Sequence, residues 1–320
     1  MQPYDVAIVG GGAAGLSTAL ALGRACRTVI LFDDGQPRNN VTKHMHGFVS
    51  REGISPRKFL SIARSQLYRY TNVHFGNVRI QSIDVEQTGF TLTPIRGAPV
   101  LCNRVVLANG IRDTLPAITN IERFWGKSVF VCPFCDGWEV RGQAIVVYGN
   151  ASQAVELAQE LIAWTNDLLI CSPDTRGISE KQRRWLRAAH VGLREQSIDR
   201  LLGGHESMRA IMLKNTEIVR CRALFLTVPE RQSCGLSSKL GCAMLKDGSL
   251  LIDEWGRTTV AGCYAAGDAA ASLHQVIAAA ASGTRCAVAI VRDFTDELAA
   301  RLTKSSSVLA SETSRAVDVS

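Results

Sequence analysis

"YDVAIVGGGAAGLSTALALGRACRTVILFDDG", residues 4–35, runs from an apolar stretch through three glycines into a helical repeat, then into a second apolar stretch closed by acids. Val6, Ala7, Ile8 and Val9 form the short continuous apolar run expected of a strand buried on both faces. Leu16, Ala19, Leu20 and Gly23 then recur at helical spacing. Between them, Gly10-x-Gly12-x-x-Gly15 fits the dinucleotide fingerprint. Its first glycine allows a tight turn, its second lets backbone approach a pyrophosphate, and its third lets the helix pack on the strand with its positive end facing the phosphates. Asp33, at the end of the second strand, supplies a carboxylate for an adenosine ribose. A glycine turn without a ligand is the bland alternative, and the strand, helix and acid in register weigh against it.

A second copy of this grammar begins at "QAIVVYGNASQAVELAQELIAWTNDLLIC", residues 143–171. A strand is expected through Ile145 to Tyr148, a turn at Gly149, a helix carrying Ala154, Leu157, Ala158, Leu161 and Ile162, and a strand at Leu168 to Cys171. Two copies this far apart imply two related nucleotide-binding domains and not a solenoid. The second turn is degraded, because Ala151 stands where the second glycine belongs and its methyl group would crowd a pyrophosphate. Neither an arginine cluster nor an acid follows in place, since Asp174 and Arg176 arrive late. Nicotinamide binding and a Rossmann domain kept only for architecture both remain open. Later, Ala223 to Val228 and Tyr264 to Ala266 read as strands, Gly267 and Asp268 as a turn, and residues 275–294 as a long helix that closes the first domain's sheet.

The 320 residues are 46% hydrophobic and 20% charged, enough for two domains with sizeable cores. No apolar run approaches membrane-spanning length, and the first strand begins at once, so a soluble cytoplasmic protein is expected. The net charge of +7 favours acidic proteins or polyphosphates over nucleic acid as partners. Its densest basic stretch, residues 180–195, alternates signs as a solvated helix face does. Residues 303–320 lack apolar periodicity and read as a flexible tail.

Of ten cysteines, eight are scattered singly, where reduced buried thiols are the default. Cys132 and Cys135 alone form a pair, in "VCPFCDG". Zinc would need four ligands, and no second Cys-x-x-Cys or close His pair exists. Two unconnected structural thiols are a further alternative. A redox dithiol is favoured, because this spacing allows a disulfide and depresses a thiol pKa, while Asp136 next door can carry the proton that exchange moves. No metal is expected.

In their order along the chain, "IVGGGAAGLSTA", "VVLANGIR", "CPFCDG", "GNASQAVE" and "GCYAAGDAA" resemble the low-molecular-weight thioredoxin reductase family of FAD proteins, over nearly the whole length. The resemblance implies an α/β fold of two Rossmann-like dinucleotide-binding domains, the FAD domain being discontinuous: 1–114 and 245–302 for FAD, 115–244 for an NAD(P)-binding-like domain carrying the dithiol. Carried over by position, Gly10, Gly12, Ala13, Ala14, Gly15 and Asp33 would hold the FAD adenylate and pyrophosphate. Asn109 and Gly110 would form the crossover beside it, Gly267 and Asp268 would meet the ribityl chain, and Gln275 and Val276 would lie near the flavin ring. The family mechanism would place Cys135 beside the flavin, leave Cys132 to the substrate disulfide, and make Asp136 the acid/base. A homodimer, domain rotation, and a thioredoxin-like protein or small dithiol or disulfide as partner are also implied.

The departures are Ala151 for glycine, Asn109 for threonine, and Cys171-Ser172-Pro173 for the His-Arg-Arg clamp on a 2′-phosphate. Residues 36–59 and "CPFCDGWE" are similar to two side branches: thioredoxin reductase-like flavoproteins lacking NADPH motifs, and oxidases of small dithiols that return electrons to oxygen. His44 and His46, in that segment, are candidates to lie near flavin or substrate, against the commoner surface histidine. The expected function is therefore an FAD-dependent thiol-disulfide oxidoreductase with weak or absent NADPH use. A dithiol oxidase and a non-enzymatic flavin redox sensor are the alternatives.

Overall fold

The computed structural model describes residues 2–317 except Glu206 and Ser272, with side-chain surroundings as far as Lys304. The chain divides into two compact units: Met1–Gly35, Ala63–Gly110 and Gln232–Ser320 form one, and Gln36–Ile62 with Ile111–Arg231 the other.

In the first unit the opening apolar runs become the parallel strands Tyr4–Val9 and Val29–Phe32, paired Val6 to Val29 through Val9 to Phe32. The parallel order is Val73–Gly76, Val29–Phe32, Tyr4–Val9, Val100–Leu107 and Cys263–Ala265. Val6, Ala7, Ile8 and Leu31 are fully buried, which explains why these strands show no polar alternation. Val100–Leu107 also pairs through its first residues with Gly89–Pro94, which pairs in turn with Ile80–Glu86, both antiparallel. The closing strand thus joins the first sheet from the far end of the chain, as the sequence implies.

The helix Ala13–Arg24 packs against the last helix, Val276–Val317. Thr18 Oγ donates to the carbonyls of Ala14 (2.9 Å) and Gly283 (3.0 Å), and a Cβ on Gly283 would sit inside contact of the Ala14 carbonyl. Helix formers such as Ala299, Ala300 and Leu302 carry this last helix past Phe294, one bond per added residue. Helical backbone to Val317 therefore stands where a flexible tail over 303–320 was expected; Asp318 to Ser320 lie outside the described residues.

The second unit holds a five-stranded parallel sheet ordered Gly192–Arg194, Leu168–Cys171, Ile145–Tyr148, Ala223–Leu226, Val129–Phe130. Beside it lies an antiparallel sheet of Ile198–Gly203, Met208–Leu213 and Ile218–Arg220. The helix Ala151–Leu161 follows the degraded turn. Within Glu180–Ala188 only Leu186 is buried, so the basic stretch is a solvated face started by a Ser179/Gln182 capping box. The segment Gln36–Ile62, expected with the first domain, clusters here, whereas 232–244 cluster with the first unit. Arg38 shows why: it donates to Asp113 from Nε (2.9 Å) and Nη2 (2.5 Å) and to Glu230 from Nη2 (2.8 Å).

Candidate functional site

The first unit's cradle forms at the carboxyl ends of its parallel strands, where open α/β sheets bind ligands. Gly10 adopts φ +113°, and a Cβ there would strike the Ala108 carbonyl and approach Asn109 N to 2.9 Å. Gly12 is the N-cap of Ala13–Arg24 with no side-chain cap, and its added Cβ would meet nothing within 4 Å. The helix start therefore has no side-chain cap and has open space beside Gly12, the kind of helix end that suits an anion. Gly15 lets the helix close on the turn, since its Cβ would overlap the Gly10 carbonyl.

The other expected cofactor residues lie on turns and helix ends of the same unit. Asp33 lies against Gly11 and accepts a hydrogen bond from Arg64 Nη2. Asn109 Nδ2 donates to Gly110 O (3.1 Å), Ser233 Oγ (3.3 Å) and Gln232 Oε1 (3.4 Å), while its buried Oδ1 has no partner among the described residues. Gly110 takes φ +65° with open space around its would-be Cβ. Gly267, at φ +74°, packs on Ala14 and donates to Ser282 Oγ at 2.8 Å, and Asp268 follows it in the 3-10 turn Gly267–Ala270. Gln275 and the half-exposed Val276 open the last helix. An open glycine turn, an uncapped helix and an orphaned buried acceptor fit a dinucleotide cofactor such as FAD. Sequence reading missed Arg64, Gln232 and Ser233, which are brought in by long-range packing.

In the second unit, Cys132 and Cys135 form a disulfide with Cα atoms 5.3 Å apart. Cys132 is the N-cap of the single turn Pro133–Asp136, Pro133 supplies its first position, and Cys135 N and Asp136 N donate to Cys132 O at 3.2 Å. Gly137 closes the turn against Trp164, where a Cβ would come within 2.9 Å of the indole. Phe134, also edge-on to Trp164 at 5.5 Å, and Trp138 are 59% and 64% exposed beside the disulfide. The other eight cysteines are free thiols; six are buried, Cys234 is half-buried and Cys26 is exposed. Among the described residues no cluster of three metal-ligating side chains exists.

Asp136 is pushed up to about 7, by burial first and then by Glu139, with His46 pulling the other way. His46 Nδ1 meets Glu52 Oε1 at 2.5 Å, and its Nε2 lies 3.6 Å from Glu139 Oε1. His44 turns instead to the Gly53 carbonyl at 2.9 Å. Glu52 and Glu139 are the residues that sequence reading missed here, because only folding brings His46, which meets both, into the dithiol's unit.

The second nucleotide turn borders a cleft of about 290 Å³ lined by Tyr148, Gly149, Asn150, Ala151, Ser172, Pro173, Asp174 and Gly177. Its helix N-terminus is already capped, Asn150 Oδ1 accepting from Gln153 N at 3.5 Å, and the Ala151 methyl is buried in the core. Asp174 is held down at about 2 by hydrogen bonds from Arg176, so the charge among these lining residues is an anion.

Residues 4–283 match the family described as "Pyridine nucleotide-disulphide oxidoreductase". "Thioredoxin reductase tcpT" of Claviceps purpurea is 28% identical over 87% of this chain and 90% of its own length. "Thioredoxin reductase" of Rickettsia typhi is 25% identical, over 90% and 97%. The crystal structure of HlmI superposes with a TM-score of 0.88 at 32% identity, covering 95% of this chain and 96% of that one. The chain belongs to the pyridine nucleotide-disulphide oxidoreductase family and is a flavoprotein disulfide oxidoreductase of the thioredoxin reductase type. Family membership carries flavin and NAD(P) use as the general chemistry. Among the described residues no helix is long and apolar enough to cross a membrane.

Proposed function

We propose that this chain is an FAD-dependent thiol-disulfide oxidoreductase whose Cys132–Cys135 pair exchanges with a thioredoxin-like protein or a small disulfide, with weak or absent use of NADPH. The observation that carries it is the contrast between its two nucleotide turns: the first helix has no side-chain cap and open space at Gly12, whereas the second has Asn150 Oδ1 accepting from Gln153 N and a buried alanine, Ala151, in the glycine's place. Gly10, Gly12, Ala13, Ala14, Gly15 and Asp33 would hold the adenylate and pyrophosphate, with Asn109, Gly110, Gly267, Asp268, Gln275 and Val276 around the remainder. Bound FAD supplies two-electron exchange with a disulfide.

The chain's own residues do the thiol chemistry. In the reduced pair, the Cys132 thiolate attacks a partner disulfide, one partner sulfur leaves as thiol with a proton from Asp136, and Cys135 then displaces the second partner sulfur to restore the disulfide. Two electrons pass to the partner, whose disulfide becomes two thiols. A homodimer in the cytoplasm belongs to the same proposal, checked by light scattering of the purified protein.

Mixing holoprotein anaerobically with NADPH, NADH or a reduced ferredoxin, while following flavin absorbance, tests the donor. Slow or absent bleaching by NADPH is expected, and rapid bleaching overturns this part of the reading. The closed second turn also favours the reverse direction, oxidation of a small dithiol with oxygen as acceptor. Oxygen uptake driven by added dithiol and lost in Cys135→Ser would select that version.

A further inference from the structure

We propose that His46, clamped by Glu52, is a positioning residue that together with Glu139 sets the pH range over which Asp136 releases its proton to the Cys132–Cys135 exchange. This rests on the reading of Asp136 as the proton carrier given above.

Residues 36–62 belong to the dithiol's own unit, and backbone pairing fixes His46 there. Met45 N donates to Ile54 O (2.9 Å), Gly53 N donates to Met45 O (3.0 Å), and the Met45 side chain is buried. Glu52 grips the next two residues at once, Oε1 on His46 Nδ1 (2.5 Å) and Oε2 on the Gly47 amide (2.9 Å). That clamp keeps a proton on Nδ1 and turns Nε2 towards Glu139 Oε1, 3.6 Å away. The His46 side chain is 22% exposed, so water screens its charge only in part.

Asp136 thus feels two charges of opposite sign. Glu139 disfavours its carboxylate and a protonated His46 favours it. His46 itself is raised from its ordinary value: burial opposes the charge, but the hydrogen bond to Glu52 and the fields of Glu139, Glu52 and Asp136 outweigh it. The neighbouring elements of the dithiol's unit turn their charges elsewhere. Arg141 stacks on the Trp138 ring at 3.9 Å, and the helix Ala151–Leu161 buries only apolar residues, with Glu156 and Glu160 exposed. The arrangement resembles a carboxylate-imidazole pair facing a second acid, with the imidazole acting through Asp136.

The test uses full-length holoprotein whose disulfide is reduced by dithiothreitol, with alkylation at intervals and mass spectrometry of the Cys132–Cys135 peptide, from about pH 5 to 9. The reagent's own thiol limb is common to all variants. Removing the cation in His46→Gln, or its clamp in Glu52→Gln, should move the Asp136 limb to higher pH by about half a unit or more. Removing the anion in Glu139→Gln should move it to lower pH. Shifts of opposite sign are the outcome that a merely structural role would not give. Unmoved or same-sign limbs, with Asp136→Asn still abolishing the limb, overturn the role of His46 and leave the parent reading standing. A limb that survives in Asp136→Asn overturns the parent reading itself. Glu52 and Glu139 are exposed, so the pair Glu52→Gln and Glu139→Gln carries the test even should His46→Gln not fold.

Discussion

The two βαβ starts share one topology and differ at the helix N-terminus. At Gly10–Gly15 the first-turn amides have no side-chain cap and the would-be Cβ of Gly12 meets nothing within 4 Å. At Gly149–Ala154 the corresponding amide is taken by Asn150, and Ala151 is 3% exposed within the core. A helix end can point its donors at a ligand or at its own chain. The same topology therefore presents different donors at its two helix starts.

The largest effect expected of any change that probes this contrast is from Gly10→Val. A branched side chain at φ +113°, pressed against the Ala108 carbonyl, should cost several kcal/mol and leave little folded protein, seen by circular dichroism and soluble yield. Gly12→Asp should spare the fold, because the space is open, while placing an anion in the phosphate seat. Flavin affinity should fall about 100-fold or more, roughly 3 kcal/mol, with the melting temperature of the flavin-free protein nearly unchanged. Equal loss of fold in both variants would break the claim that only one of these glycines is needed by the chain itself.

Asp136→Asn separates chemistry from stability. Thiol exchange should slow by about 10²-fold near neutral pH, with flavin content intact. The folded-state pKa of Asp136 is raised, so the native state holds a proton that the unfolded chain has lost between about pH 4 and 7. Its contribution therefore falls as pH rises through that window, and above it the charged carboxylate destabilises. Denaturant melts at pH 8 should show Asp136→Asn more stable by about 2 kcal/mol, with no difference at pH 4. The smallest change is Ala151→Gly, which should cost about 1 kcal/mol in melts and leave flavin bleaching by NADPH within about threefold of the parent protein. Strong bleaching in that variant would show that one methyl alone closes the second turn.

Much of the fold is local enough to be legible. Tyr4–Val9, Ile145–Tyr148 and Leu168–Cys171 fall where the apolar runs stand, because strands buried on both faces read as nearly continuous apolar runs. The closing strand is Cys263–Ala265, one residue earlier than the pattern gives, as element ends depend on neighbours. The place of residues 36–62 was not legible, since it depends on Arg38 meeting Asp113 and Glu230 far along the chain. The same holds for His46, which looks like an ordinary surface histidine until its loop joins the unit of Asp136 and Glu139.

By itself, the sequence determined the two dinucleotide-type folds, the strand-turn-helix start of each and the dithiol between the two glycine turns. Each follows from covalent spacing and from which side chains must leave water. Only the tertiary structure decided that residues 36–62 join the dithiol's unit and that His46 from that segment acts on Asp136 against the nearby Glu139. That outcome depends on desolvation and on the meeting of residues far apart in the chain, which no local pattern encodes.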